Sequence, residues 1–86
     1  MSRIDAIKHH LVEEYQMDIP PAELADDYDL LHNGVIDSLA LLTLVSWLEN
    51  EYALDIDAMD VVPDNFRTAA SIDAFVASAA PAVKAG

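Results

Sequence analysis

Eighty-six residues make one domain, which on folding buries roughly 60% of the surface its unfolded chain exposes, and they leave no room for a second. Sixteen Asp and Glu against four Lys and Arg give a net charge of −12, which repels phosphate backbones and anionic lipid surfaces and favours basic patches on other proteins, so nucleic acid is not an expected partner. There is no cysteine, which excludes a disulfide framework and any thiolate metal site, and requires that any thiol chemistry arrive on an added group.

From Ser2 to about Gln16, the apolar residues Ile4, Ile7, Leu11, Val12 and Tyr15 recur at three- and four-residue spacing, the stripe of an amphipathic helix. Ser2 is placed to cap it, with Asp5 as the second half of a capping box. Met17 to Asp37 comes next as a long loop. Pro20-Pro21 forbids a regular helix through its first half, and Asn33-Gly34 marks a turn near its end. Leu24, Tyr28, Leu30 and Leu31 are available to pin it to the core, so the loop is expected to be ordered and to carry short helical turns.

Ser38 to about Tyr52 reads as the second helix, leucine-rich, free of glycine and proline, and uncharged until Glu49. Leu42, Val45, Leu48 and Tyr52 form one strip with Leu41 and Leu44 on either side, so more than one face is apolar. Such a helix is either central to a bundle or offers a side to partners. Its longest apolar stretch, Leu39 to Leu48, is too short to cross a bilayer, and the segment Met-Ser-Arg-Ile-Asp lacks a secretory core; a cytoplasmic protein is expected.

Ala53 to Val62 is acidic and mixed, with Asp55-Ile56-Asp57 the one stretch that resembles part of a strand. Pro63-Asp64-Asn65-Phe66 has proline at the first turn of a short third helix. Thr68 then caps a last helix over Ala69 to Ala79, with Ile72, Phe75 and Val76 facing inward; Pro81 ends it. The expected fold is all-α: a small four-helix bundle with a long loop between helices 1 and 2 and a short third helix. Its single domain spans 1–80, with 81–86 a flexible tail, and a free-standing monomer is expected.

The most informative residue is Ser38. In Leu30-Leu31-His32-Asn33-Gly34-Val35-Ile36-Asp37-Ser38-Leu39, a glycine-containing loop passes through Asp-Ser into the apolar helix. A serine in the first helical turn lies beside backbone N–H groups with no helical partner, a setting that suits a phosphate on its hydroxyl. An Asp-Ser pair alone is explained by capping. The wider constellation is more specific: Gly34-Val35-Ile36-Asp37-Ser38-Leu39 opening a Leu-rich helix, then Pro63-Asp64-Asn65-Phe66-x-Thr68 and a final amphipathic helix. Over nearly the whole chain this resembles the acyl carrier protein family.

The resemblance implies that Ser38 is the attachment point of 4′-phosphopantetheine, joined from coenzyme A by a phosphopantetheinyl transferase. Asp37 and Leu39 match the flanking residues that help partner enzymes recognise the helix start. Asp37 is equally placed to cap the helix, and a core contact is the lesser alternative for Leu39. The implied protein is a non-catalytic carrier of acyl or aminoacyl thioesters, loaded by a ligase or acyltransferase and unloaded by downstream biosynthetic enzymes with basic or apolar docking faces. Fatty-acid-type carriers usually place glycine three residues before the serine and acids along the second helix; here Gly34 stands four before, and positions 38 to 48 hold no charge. That form looks closer to D-alanyl carriers and to discrete carriers of bacterial secondary metabolism, the latter being the first choice. The implied partner face is Leu39, Ala40, Thr43, Ser46 and Trp47, with Trp47 as an anchor. The alternative from another class is an unmodified acidic helical module that binds a basic partner.

The remaining candidates point to structure. His9 and His10 are adjacent and so face different sides of the first helix. His32, six residues before Ser38, lacks the orienting acid and oxyanion donors that a hydrolase needs. Neither Glu23, Asp26, Asp27 and Asp29 nor Asp55, Asp57 and Asp60 has calcium-loop spacing, so both groups read as solvated acidic faces and no metal is expected.

Overall fold

Three short polar side chains set the starts of the three α-helices. A computed structural model describes residues 2–79; the expected tail at 81–86 lies outside them. Helix α1 spans Arg3–Glu14, α2 spans Ser38–Tyr52 and α3 spans Ala69–Ser78. Ser2 and Asp5 form the reciprocal capping box at α1, and Thr68 and Ser71 form another at α3. Asp37 caps α2. The ends of α1 and α2 are unusual in lacking glycine: Gln16 (φ 52°) and Ala53 (φ 51°) both adopt the left-handed conformation that terminates a helix.

The fold class is all-α, with one correction to the helix count. The expected third helix at Pro63–Phe66 is a single 3₁₀ turn, as are Pro21–Glu23 and Ala58–Asp60. Proline at its first position removes a donor, and with Thr68 already capping α3, the segment is too short for an α-helical ladder. No strand forms at 55–57.

The core draws on every segment. Ile7 and Leu11 of α1, Leu44 and Leu48 of α2, Ile72 of α3 and Phe66 of the last 3₁₀ turn are fully buried, and so are the loop residues Leu24, Leu30 and Ile36. Each such side chain contributes about 1.5–3 kcal/mol by leaving water, which is why a loop with little helix is nonetheless ordered. Tyr28 and Leu31 pack against this core, as expected. On α2 the buried set is Leu41, Leu44, Val45 and Leu48 at helical spacing. Leu42, in the same apolar strip of the sequence as Val45 and Leu48, is 61% exposed, so only one of the two adjacent leucine faces is covered. Phe75 is half-buried, its ring 5.0 Å from that of Phe66.

Charge also organises the fold. The three cations among the described residues are all engaged in cross-links: Arg3 to Asp73 at 2.6 Å joins α1 to α3, Lys8 pairs with Asp26 of the loop, and Arg67 bridges Asp29 and Asp64. Backbone bonds add to these, Leu30 N–H donating to Arg67 O at 2.8 Å and Ala70 N–H to Asp26 O at 2.9 Å. The second satisfies an N–H of the first turn of α3 that has no helical acceptor.

Candidate functional site

The end of the long loop is folded so that Ser38 emerges at the open end of α2. Leu30 O accepts from both Val35 N–H (2.9 Å) and Ile36 N–H (3.2 Å), closing a tight reversal whose apex contains Gly34. Gly34 has φ +75°, and a Cβ there would meet nothing within 4 Å. Glycine is needed for backbone conformation rather than for space. Asp29 braces the same turn: its carboxylate accepts from His32 N–H at 2.8 Å, and its carbonyl accepts from the Asn33 side chain at 2.8 Å. The His32 N–H and then the Arg67 guanidinium hold the Asp29 carboxyl below the usual carboxylate range.

Beyond Ile36 the chain is extended at Asp37, whose Oδ1 accepts from Ala40 N–H at 2.7 Å while its carbonyl takes Leu41 N–H at 2.8 Å. Ser38 is the first helical residue and is exposed. The first N–H groups of a helix have no carbonyl one turn back; with those of Ala40 and Leu41 directed to Asp37, the positive end of α2 at Ser38 and Leu39 suits an anion. Leu39, 74% exposed, stands beside Ser38 with its side chain in solvent rather than in the core.

The exposed stripe of α2 comprises Leu39, Leu42, Thr43, Ser46 and Asn50, neutral and part apolar. Leu42 is the member that sequence reasoning missed. The signal was present, since the leucines occupy more than one helical face, but periodicity does not say which face the protein covers. Ala40 is half-buried, and its carbonyl accepts from the Tyr15 hydroxyl at 3.3 Å. Trp47 is also half-buried, one ring face stacked on His10 at 3.8 Å and 7°, with the Tyr52 ring edge-on at 5.9 Å. It therefore lies along the α1–α2 seam beside the exposed stripe. The imidazole of His10 is pushed below its ordinary pKa by that burial, and its Nε2 is buried without a hydrogen-bond partner among the described residues.

The other candidates are dispersed. His9 Nδ1 pairs with Glu13 one turn on at 3.1 Å, and the His32 side chain makes no hydrogen bond to Ser38 among the described residues. No group of three or more His, Asp and Glu is assembled for a metal among the described residues, and no helix there is long and apolar enough to cross a membrane.

Comparison with known proteins places this geometry. Residues 14–76 match the family described as the phosphopantetheine attachment site. Comparison with curated proteins gave no match. Among solved structures, KstB-PCP in its apo form is 41% identical, with a TM-score of 0.75, over 99% of this chain and 94% of that one. A solution structure of KstB-PCP in kosinostatin biosynthesis is likewise 41% identical, with a TM-score of 0.64, over 99% and 97% of the two chains. Proteins of this kind are non-catalytic carriers whose cofactor, 4′-phosphopantetheine, is bound covalently. The chain belongs to the phosphopantetheine-binding carrier protein family.

Proposed function

We propose that Ser38 is the residue that carries 4′-phosphopantetheine, and that the protein bears acyl or aminoacyl intermediates as thioesters on that arm in a dedicated biosynthetic pathway of bacterial secondary metabolism. The observation that carries the reading is an exposed serine at the first position of a helix already capped by its neighbour, Asp37. In modification, the Ser38 oxygen gives up its proton and forms a phosphodiester with the phosphopantetheine half of coenzyme A, the adenosine bisphosphate half leaving. When bound, the arm supplies the thiol that this cysteine-free chain lacks. It offers cargo to each docked enzyme at high effective concentration.

Asp37 and Leu39 are read by the transferase at the helix start, and Leu39, Ala40, Thr43 and Trp47 contribute to the docking face, now with Leu42 beside them. The net charge of −12 steers encounters with basic surfaces of a loading ligase or acyltransferase and of downstream enzymes, giving fast, salt-sensitive association. The pathway assignment is supported by 41% identity to KstB-PCP, which acts in kosinostatin biosynthesis. We read the chain as a single carrier domain over 1–80 that works as a cytoplasmic monomer. The test is intact mass before and after incubation with coenzyme A, Mg²⁺ and a broad-specificity phosphopantetheinyl transferase. One phosphopantetheine increment on the parent and none on Ser38→Ala is expected; an increment on both proteins, or on neither, contradicts the assignment.

A further inference from the structure

We propose that Arg67 is a positioning residue for the modification of Ser38, holding from 29 residues away in sequence the loop that presents the serine; the proposal rests on Ser38 being the attachment residue. Arg67 grips the loop twice. Its guanidinium bonds Asp29 at 3.1 Å, and its carbonyl accepts the adjacent Leu30 N–H at 2.8 Å. On the other side, Nε and a terminal nitrogen bond one Asp64 oxygen at 3.3 and 3.0 Å, which fixes the plane of the guanidinium.

Both gripped residues organise the next turn of the chain. Asp29 takes His32 N–H, and Leu30, fully buried, takes Val35 and Ile36 N–H through its carbonyl. Ile36 is 2% exposed and leads directly into the Asp37 cap and Ser38. A continuous set of bonds therefore joins the segment before α3 to the start of α2. Charge sharpens the dependence: the loop also carries Asp27, Lys8 is already paired with Asp26, and without the guanidinium Asp29 and Asp64 lose the cation between them. Exposed ion pairs ordinarily contribute little to global stability, so the consequence falls on the loop rather than on the fold. The α2 face that docks partners does not include Arg67. Loss of its side chain should therefore lower the fraction of encounters in which Ser38 is correctly oriented, not the affinity of encounter.

The test compares steady-state modification of the parent, Arg67→Gln, Arg67→Lys, Arg3→Met and Ser38→Ala by one transferase, at a temperature where circular dichroism shows full helicity. Arg67→Gln should lower kcat about fivefold with KM for the carrier unchanged within about twofold, and Arg67→Lys, able to keep one carboxylate contact, should fall between it and the parent. Arg3→Met removes the α1–α3 pair without touching the loop and should match the parent. Amide exchange at Val35 and Ile36 should be about tenfold faster in Arg67→Gln while the interior of α3 is unchanged. Parental kcat in Arg67→Gln, a change confined to KM, or an equal loss in Arg3→Met would overturn the proposal. If Arg67→Gln does not fold, Arg67→Lys decides by the same comparison. A parent that is not modified at Ser38 would overturn the attachment assignment instead, leaving the exchange measurement to judge the hold of Arg67 on the loop.

Discussion

Replacing Asp37 separates the helix cap it supplies from the recognition proposed for it. Asp37 Oδ1 accepts the Ala40 N–H at 2.7 Å, so Asp37→Ala leaves that donor without a partner and removes an N-cap, a change that costs about 1 kcal/mol. For a domain of this size that is a fall in melting temperature of roughly 4–8 °C. Asp37→Asn keeps a side-chain oxygen at the cap and loses only the favourable charge at the helix start, so its stability should lie within about 0.5 kcal/mol of the parent. Denaturant melts followed by ellipticity, with Trp47 fluorescence as an independent probe at the α1–α2 seam, measure both variants. Transfer of phosphopantetheine is then compared under conditions where each is folded. If partner enzymes read the carboxylate, Asp37→Asn is modified about tenfold more slowly despite near-parental stability. Equal destabilisation by Asn and Ala would refute the capping geometry. Parental modification of Asp37→Asn would refute recognition and leave the cap as the only role.

Three further expectations use neighbouring contrasts. Leu41→Ala, in the core, should cost about 2–5 kcal/mol in a denaturant melt, whereas Leu42→Ala, one residue on, should stay within about 0.5 kcal/mol yet slow transfer from loaded partners; similar stability losses would contradict the assigned faces of α2. Ala53→Gly relieves a left-handed alanine at the end of α2 and should stabilise by about 0.5–1 kcal/mol, which a thermal melt reads directly; no gain would count against the strained cap. Burial against Trp47 and Tyr15 lowers the pKa of His10 below its ordinary 6.5, overcoming the pull of Glu14, Glu51 and Glu13. The unfolded chain then binds the extra proton first. The stability contributed by neutral His10 is complete above 6.5 and is lost as pH falls through the lower folded value, so His10→Phe should show a shallower acid-side decline in melts taken between about pH 7.5 and 5. Identical slopes would remove His10 from that account.

The features legible in the sequence were local ones. Ser2, Asp37 and Thr68 mark the three helix starts because a capping side chain needs only the next three residues to do its work. The loop leucines Leu24 and Leu30 announced an ordered segment because a 21-residue loop, 17 to 37, that carries large apolar side chains has to bury them. Three features depended on distant partners and were not legible. Leu41 and Leu42 are adjacent leucines of which one is buried and the other exposed, and local pattern does not record which. Trp47 is as compatible with an exposed anchor as with a seam until His10 is found stacked upon it. Arg67 meets Asp29 across 38 residues, and sixteen acids offered many alternatives. Pro63 marks the start of a short helix, but that its four residues close as 3₁₀ rather than α follows from the missing proline donor and from Thr68 capping α3 immediately after.

The central claim is that one serine, placed at the open end of α2 by a braced loop, carries the arm. Its most direct test is tandem mass spectrometry of the modified protein after proteolysis, locating the phosphopantetheine among the serines and threonines present. The account predicts modification only on the peptide containing Ser38, with fragment ions assigning it to that residue; modification at Thr43, Ser46 or any hydroxyl outside this helix start would contradict it.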